Sequence, residues 1–329
     1  MDANVPYIST GHLPDADMVV RLVEEAHARF GDDHAGEVSQ VYPALARMPR
    51  DLFGICIAGV RGGRTLAGDA EVPFTIMSVS KPFVFALACG AHGGDQMREL
   101  IGVDATGRPF NSVAAVEAGP GGRTNPMVNS GAIATTSYMP GRDIDERWQR
   151  IHEGLSRFAG RDLAMDDETY ASASATNGRN QAIARLLGTL GRLGCDPAEA
   201  TELYTRQCCL AVTASDLATM GATLAAGGVN PFNGDRVVEP ESCRAALAVM
   251  STAGLYDTSG DWLYRVGLPG KSGIGGGIIM VAPGKGGLAT FAPPLDAAGN
   301  SVKGQLVARF LSDALGLGIF AGTTESDAT

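Results

Sequence analysis

The sequence predicts an α+β fold, in which strands near both ends of the chain build one antiparallel sheet and a helical region is inserted between them. Three observations carry this. Residues 52–60, LFGICIAGV, read as a strand that turns at Gly62-Gly63 and returns over Arg64–Ala70. Ile274–Ala282 and Leu288–Ala292 read as a second pair joined by a Gly/Pro turn. Between the pairs, residues 90–260 read mainly as helical segments with Gly, Pro and Asn breaks, among them 143–159, 178–191, 213–227 and 240–251.

The remaining elements follow in order. Asp15–Phe30 is amphipathic, with Met18, Leu22, Ala26 and Phe30 on one face, Asp15 as cap and Gly31 as stop. Residues 74–90, FTIMSVSKPFVFALACG, start extended and become an apolar helix around Ser78. Pro82 suits a first helical turn, where its missing N–H is not needed. Val302–Leu315 reads as a closing helix, and 321–329 as a polar tail. No repeat, low-complexity tract or linker divides the chain. We therefore expect residues 1–329 to be a single catalytic domain, with an α/β part at about 36–90 and 260–316 and a helical part at about 91–259.

The net charge of −10 argues against nucleic acid, because a phosphate-binding protein needs a basic face. The six cysteines form no CxxC or Cys/His cluster, so neither structural zinc nor another metal is expected. No apolar run reaches membrane-spanning length, and residues 1–20 are polar with Pro6, Pro14, Asp15 and Asp17. The expectation is a cytoplasmic protein with reduced thiols and no membrane contact. Only four lysines occur, Lys81, Lys271, Lys285 and Lys303, in a chain otherwise rich in arginine.

Two of those lysines stand in motifs that carry chemistry. Ser78-Val79-Ser80-Lys81 is the only SxxK of the chain. With a helix starting at Ser78, Lys81 lies one turn later on the same face. Serine is a poor nucleophile until a base takes its proton, and a lysine whose pKa is lowered by burial can be that base. Phe83, Val84, Phe85 and Leu87 supply the apolar setting. A helix N-terminus also presents free N–H groups to an oxyanion. The same four residues also occur as a capping serine with an exposed lysine. The second motif, Lys271-Ser272-Gly273, precedes the strand GGGIIMVA and matches the K-S-G variant of the third motif of serine β-lactamases and penicillin-binding proteins. Gly270-Lys271-Ser272 imitates the end of a phosphate-binding loop, but position 265 is Arg where that loop needs Gly. The five histidines fall in no nucleophile or base motif, and Asp166-Asp167-Glu168 reads as a solvated helix start.

Taken together with these motifs, residues 36–316 resemble the serine-dependent glutaminases of the penicillin-recognising, β-lactamase-like superfamily. The matching segments include FTIMSVSK at 74–81, FNS at 110–112, NPMVNSGAI at 125–133, GRNQAIA at 178–184, LYTRQCCLAVTASDLA at 203–218, GLYDTSGDW at 254–262 and GLPGKSGIGGGI at 267–278. The resemblance implies a five-stranded antiparallel sheet flanked by helices, with the site between sheet and helical subdomain. It implies hydrolysis of the side-chain amide of L-glutamine to L-glutamate and ammonia through an acyl-enzyme, with no cofactor. By motif, Ser78 is the nucleophile, Lys81 its base and Tyr256 the proton-handling tyrosine. The backbone N–H groups of Ser78 and Ile274 form the oxyanion hole, where the family usually has Val at the second position. Lys271 shapes the field around the substrate, and Asn129, Asn180 and Tyr204 hold its amino-acid end. Glutaminases associate as dimers or tetramers, which implies a homodimer or homotetramer here.

Two positions depart from the family pattern. The glutamate seven residues before the RN asparagine, the natural partner of the substrate α-ammonium, is Ala173. The tyrosine that opens a YIPxLA segment is Val41, with Tyr42 one residue later. Both changes remove polar groups from the substrate end, which leaves a glutamine-related or N-substituted amide as an alternative substrate. A non-catalytic binding protein on the same fold is the alternative from another class. β-Lactam or peptidoglycan chemistry would require export.

Overall fold

The computed structural model describes residues 13–320. The polar tail at 321–329, His12 and most of the N-terminal segment read for a leader lie outside the described residues.

The strands are β1 Glu37–Val38, β2 Gly54–Gly59, β3 Arg64–Gly68, β4 Phe74–Thr75, β5 Ala211–Val212, β6 Gly270–Ser272, β7 Gly277–Ala282, β8 Gly286–Phe291 and β9 Pro294–Leu295. Five of them form one sheet in the order β3-β2-β8-β7-β6. Every neighbouring pair is antiparallel, and β2 lies beside β8, with Gly54 opposite Phe291 and Gly59 opposite Gly286. N-terminal and C-terminal strands thus share one sheet. The small β4–β5 pair sets Phe74 opposite Val212 and Thr75 opposite Ala211.

Both faces of the sheet are buried, and the alternation of side chains sorts them. Ile55 and Ile57 of β2, Ile278 and Met280 of β7 and Leu288 of β8 pack with Val23 of the helix Ala16–Phe30 and with Val307 and Leu311 of the helix Val302–Ala314. Cys56, Ala58, Ile279, Val281 and Ala289 face the other way, toward Leu217 and Met220 of the helix Ala214–Ala225. Each fully buried Ile, Leu or Met contributes roughly 1.5–3 kcal/mol. The second face is lined by small residues because that helix lies directly on it. A Cβ on Gly287 would stand 2.4 Å from the Ala218 carbonyl oxygen and 2.5 Å from the Ala222 nitrogen.

The structure corrects the C-terminal reading. Ile274–Ala282 is not one strand: β7 begins at Gly277, and Lys271-Ser272 lies in a separate strand, β6, with Lys271 opposite Ile279. Residues 273–276 are the turn between them, closed by the Gly273 N–H donating to the Gly277 carbonyl at 2.9 Å. Gly276 sits at φ +94°, a conformation that glycine adopts without penalty. The glycine run that read as a strand start is therefore a hairpin turn, and Ile274 stands in it.

The α-helix after Ser78 is also displaced. Met77–Ser80 is a 3-10 turn and the α-helix proper is Lys81–His92, with Pro82 in its first turn. In a 3-10 turn residues three apart eclipse one another, so Ser78 and Lys81 share a side more directly than in an α-helix. The named helical segments appear as Ile144–Ala159, Gly178–Thr189, Ala214–Ala225 and Pro240–Ala253. The helices Asn129–Ser137, Asp167–Thr176 and Pro197–Cys208 complete the wall facing the nucleophile turn. No described helix is long and apolar enough to cross a membrane.

Candidate active site

The turn that carries Ser78 is strained and anchored at both sides. Met77 has φ +47°, in the left-handed region where a residue with a Cβ is disfavoured by about 1–3 kcal/mol. The entry is held by β4 and by the Ile76 N–H donating to the Leu210 carbonyl at 2.9 Å. The exit runs into the apolar helix whose Phe83, Val84 and Phe85 are buried. Ser78 is itself buried at 7% exposure, at the rim of a cavity of about 170 Å³. It lies in the first turn of the helical segment, where backbone N–H groups have no partner within the helix.

Lys81 is fully buried among protein atoms, and its Nζ donates to Asn129 Oδ1 at 2.8 Å and to the Met127 carbonyl at 3.3 Å. Burial lowers its pKa to about 8, and no carboxylate compensates. Asn129 opens the helix Asn129–Ser137. Its Oδ1 also accepts from the Tyr204 hydroxyl at 3.1 Å, and its Nδ2 donates to Asn180 Oδ1 at 3.0 Å. Lys81, Asn129, Asn180 and Tyr204 are thus one network contributed by four different helices. Burial raises the Tyr204 phenol well above its usual value, so it remains a donor.

Tyr256 comes from the other side. It too has a left-handed backbone, φ +53°, and its hydroxyl donates to the Ser272 carbonyl at 3.1 Å, with the Ser78 side chain near enough to oppose the rise in its pKa. Burial pushes the phenol upward in pKa. Phe110, of the FNS segment, packs on its ring at 4.6 Å between centroids. The Lys271 Nζ sits 4.4 Å from the centre of the same ring and donates to the carbonyls of Gly254 at 2.9 Å and Ser272 at 2.7 Å. Burial first, and the nearby Lys81 second, hold Lys271 well below the usual lysine range. Both buried lysines thus donate to carbonyl and amide oxygens rather than to a carboxylate.

Ser78, Asn129, Asn180, Tyr204 and Ile274 all line that cavity. Lys81 meets it through Asn129 and Tyr256 through Phe110, and Lys271 lies behind the Tyr256 ring. Motif reading missed Arg179, Asn111, Thr176, Asn177, Thr205 and Cys208, which also line it. Cys208 is a buried thiol against Tyr204 and Ser80, and burial keeps it protonated. Its only signal in the sequence was its place in the segment 203–218. Ala173 and Val41 both form part of the wall, Ala173 buried and Val41 half-open to solvent, and Tyr42 lies beside them. No Asp or Glu is among the described residues that line the cavity, and Arg179 is the one charged side chain on that wall. Glu168, on the helix that carries Ala173, pairs with Arg47 on the outside. Asp166 caps that helix, accepting from the Thr169 N–H at 2.8 Å.

None of the four described histidines lines the cavity. His27 stacks on Phe53, and His92 and His152 meet backbone carbonyls of Tyr138 and Leu163. Among the described residues no group of three His, Cys, Asp or Glu side chains could hold a metal ion.

The family model described as glutaminase matches residues 36–320. Glutaminase 2 of Yersinia pestis is 65% identical over 316 residues, 96% of this chain and 93% of its own. The glutaminase of Bordetella avium is 47% identical, covering 93% of this chain and 98% of its own. Among solved structures, a probable glutaminase (ybaS) superposes with a TM-score of 0.92 at 44% identity, over 94% of this chain and all of that one. By sequence, extent and fold, this chain belongs to the glutaminase family, hydrolases of amide C–N bonds on the β-lactamase-like fold.

Proposed function

We propose that the protein hydrolyses the side-chain amide of L-glutamine to L-glutamate and ammonia through an acyl-enzyme on Ser78, residues 1–329 acting as one catalytic domain. The observation that carries this is the convergence of Ser78, a buried low-pKa lysine and a buried tyrosine hydroxyl on one cavity whose far wall is amide and phenol groups.

A neutral Lys81 has two N–H bonds and one lone pair. Its two donors are committed to Met127 O and Asn129 Oδ1. The lone pair is left for the Ser78 proton. As Ser78 Oγ attacks the amide carbon, its proton passes to Lys81, and the backbone N–H groups of Ser78 and Ile274 stabilise the developing oxyanion. Tyr256 delivers a proton to the leaving nitrogen and takes one back from the protonated Lys81, ammonia departs, and a glutamyl ester remains on Ser78. Water, activated by the same groups, then attacks that ester and releases glutamate. Asn129, Asn180 and Tyr204 hold the amino-acid end, and Lys271, set against the Tyr256 ring, shapes the field around the substrate. The chemistry needs no cofactor. The protein works as a cytoplasmic homodimer or homotetramer on a small-molecule amide, with no nucleic-acid or membrane partner.

A second reading rests on the acid-free wall around Ala173. It favours a glutamine-related or N-substituted amide whose amino group is absent, capped or differently placed. A non-catalytic binder has no use for a buried, deprotonatable Lys81 beside Ser78. The test is ammonia or amine release from L-glutamine and a panel of substituted amides, with Ser78→Ala as control. Release by wild type that Ser78→Ala lowers at least about 10³-fold supports the mechanism. Undiminished release by Ser78→Ala overturns it.

A further inference from the structure

We infer that Ser80 and Gln207 are positioning residues that lock the strained nucleophile turn to the two helices gripping the substrate. The inference rests on the proposed role of Ser78. Ser80 lies inside the SxxK motif, yet the chemistry above gives it no task. Its hydroxyl donates back to the Met77 carbonyl at 2.8 Å, the carbonyl of the residue held at φ +47°. Having spent its proton there, the Ser80 oxygen accepts from Gln207 Nε2 at 3.3 Å. Gln207 Oε1 in turn accepts from the Thr136 hydroxyl at 2.7 Å, whose single proton is shared with the Ala132 carbonyl at 2.9 Å. Ser80, Gln207 and Thr136 are each fully buried.

The ends of this chain of bonds give it meaning. Thr136 belongs to the helix Asn129–Ser137, which opens with Asn129. Gln207 belongs to the helix Pro197–Cys208, one turn beyond Tyr204. The helices that present Asn129 and Tyr204 to the cavity are therefore bonded, through Gln207 and Ser80, to the backbone immediately before Ser78. A left-handed Met77 would relax toward ordinary dihedrals if released, and that would swing Ser78 relative to the substrate grip. A buried polar chain with every link satisfied is rigid, because breaking one link leaves an unpaired group in a low dielectric. Displacement of a nucleophile by about 1 Å costs on the order of a hundredfold in rate. Grip residues that stay in place keep substrate affinity.

Ser80→Ala and Gln207→Leu are each expected to lower kcat about ten- to a hundredfold with little change in the affinity for the product L-glutamate. Ser80→Ala also strips the Met77 carbonyl and Gln207 Nε2 of their partner and lowers Tm, whereas in Gln207→Leu the Ser80 hydroxyl keeps Met77 and the Thr136 hydroxyl keeps the Ala132 carbonyl. The double variant Ser80→Ala/Gln207→Leu no longer buries an unpaired Gln207 amide, so it regains part of the Tm lost in Ser80→Ala while its kcat stays at least about tenfold below wild type. The labelling rate of Ser78 by a fluorophosphonate, which phosphonylates activated serines, is expected to fall with kcat in all three. Wild-type kcat and labelling rate in the single variants, or recovery of kcat together with Tm in the double variant, overturns the positioning role. Absence of labelling at Ser78 in the wild type instead overturns the serine mechanism on which the inference stands.

Discussion

Lys81 Nζ lies 2.8 Å from Asn129 Oδ1, and that contact joins the chemistry of the site to its recognition. Asn129 orients the lysine, fixes the Tyr204 hydroxyl through the same oxygen and reaches Asn180 through its nitrogen. An amide is suited to this place. It accepts from an amine without supplying the negative charge that would raise the lysine pKa. A carboxylate there would hold Lys81 protonated and useless as a base.

The rate is expected to follow the Lys81 titration. In the proposed mechanism Lys81 acts when neutral, and burial lowers its pKa to about 8. Below that value kcat/KM for the amide will rise about tenfold per pH unit, and it will level off above. Burial raises the Tyr256 and Tyr204 phenols, so neither ionises across this range. Steady-state kinetics between pH 6 and 9 check the profile. A flat or falling profile would contradict the assignment of Lys81 as base.

The same burial makes Lys81 a stability cost. Its folded pKa lies below its unfolded value of 10.5, so the folded chain binds fewer protons between about 8 and 10.5. The penalty is fully present below pH 8 and fades as pH rises to 10.5. Its size is about 3 kcal/mol at neutral pH, reduced by the two acceptors that Lys81 satisfies. Lys81→Met will therefore abolish turnover yet gain about 1–2 kcal/mol at pH 7, with the gain shrinking toward pH 10. Denaturant unfolding at the two pH values measures it. Loss of stability at pH 7 would show that Lys81 is held charged and paired.

Ala173 is expected to govern how well plain L-glutamine is served. It is buried in the cavity wall, no carboxylate lines that wall among the described residues, and Glu168 is engaged with Arg47. A carboxylate facing the substrate ammonium is worth roughly 1.5–3 kcal/mol. Ala173→Glu is expected to raise kcat/KM on L-glutamine about ten- to a hundredfold. Efficient wild-type turnover that the substitution leaves unchanged or reduces would mean that the ammonium is met by dipoles such as Asn177 or Tyr42.

The sheet was legible because its strands are short apolar runs bounded by glycine turns, and LFGICIAGV pairs with its return across Gly62-Gly63 as its pattern dictates. The turn at 273–276 was not, because glycines flanked by Ile and Met look the same in a strand and in a hairpin. Only pairing of Lys271 with Ile279 separates the two. The helix start at Ser78 was misplaced by three residues, since no local signal distinguishes a 3-10 turn from an α-helix when Pro82 permits both. Of the site, the motifs located Ser78, Lys81 and Lys271. Asn129, Asn180, Tyr204 and Tyr256 were legible only through family resemblance, because asparagines and tyrosines scattered on separate elements carry no spacing rule. Ser80 and Gln207 were beyond reach for the same reason: the bond between them spans 127 residues.

The most direct test of the account is mass spectrometry of acid-quenched enzyme during turnover of L-glutamine. The account predicts a glutamyl ester on the peptide containing Ser78, absent from Ser78→Ala and lost as substrate is exhausted. Rapid ammonia release with Ser78 unmodified at every time point, and persisting in Ser78→Ala, would contradict it.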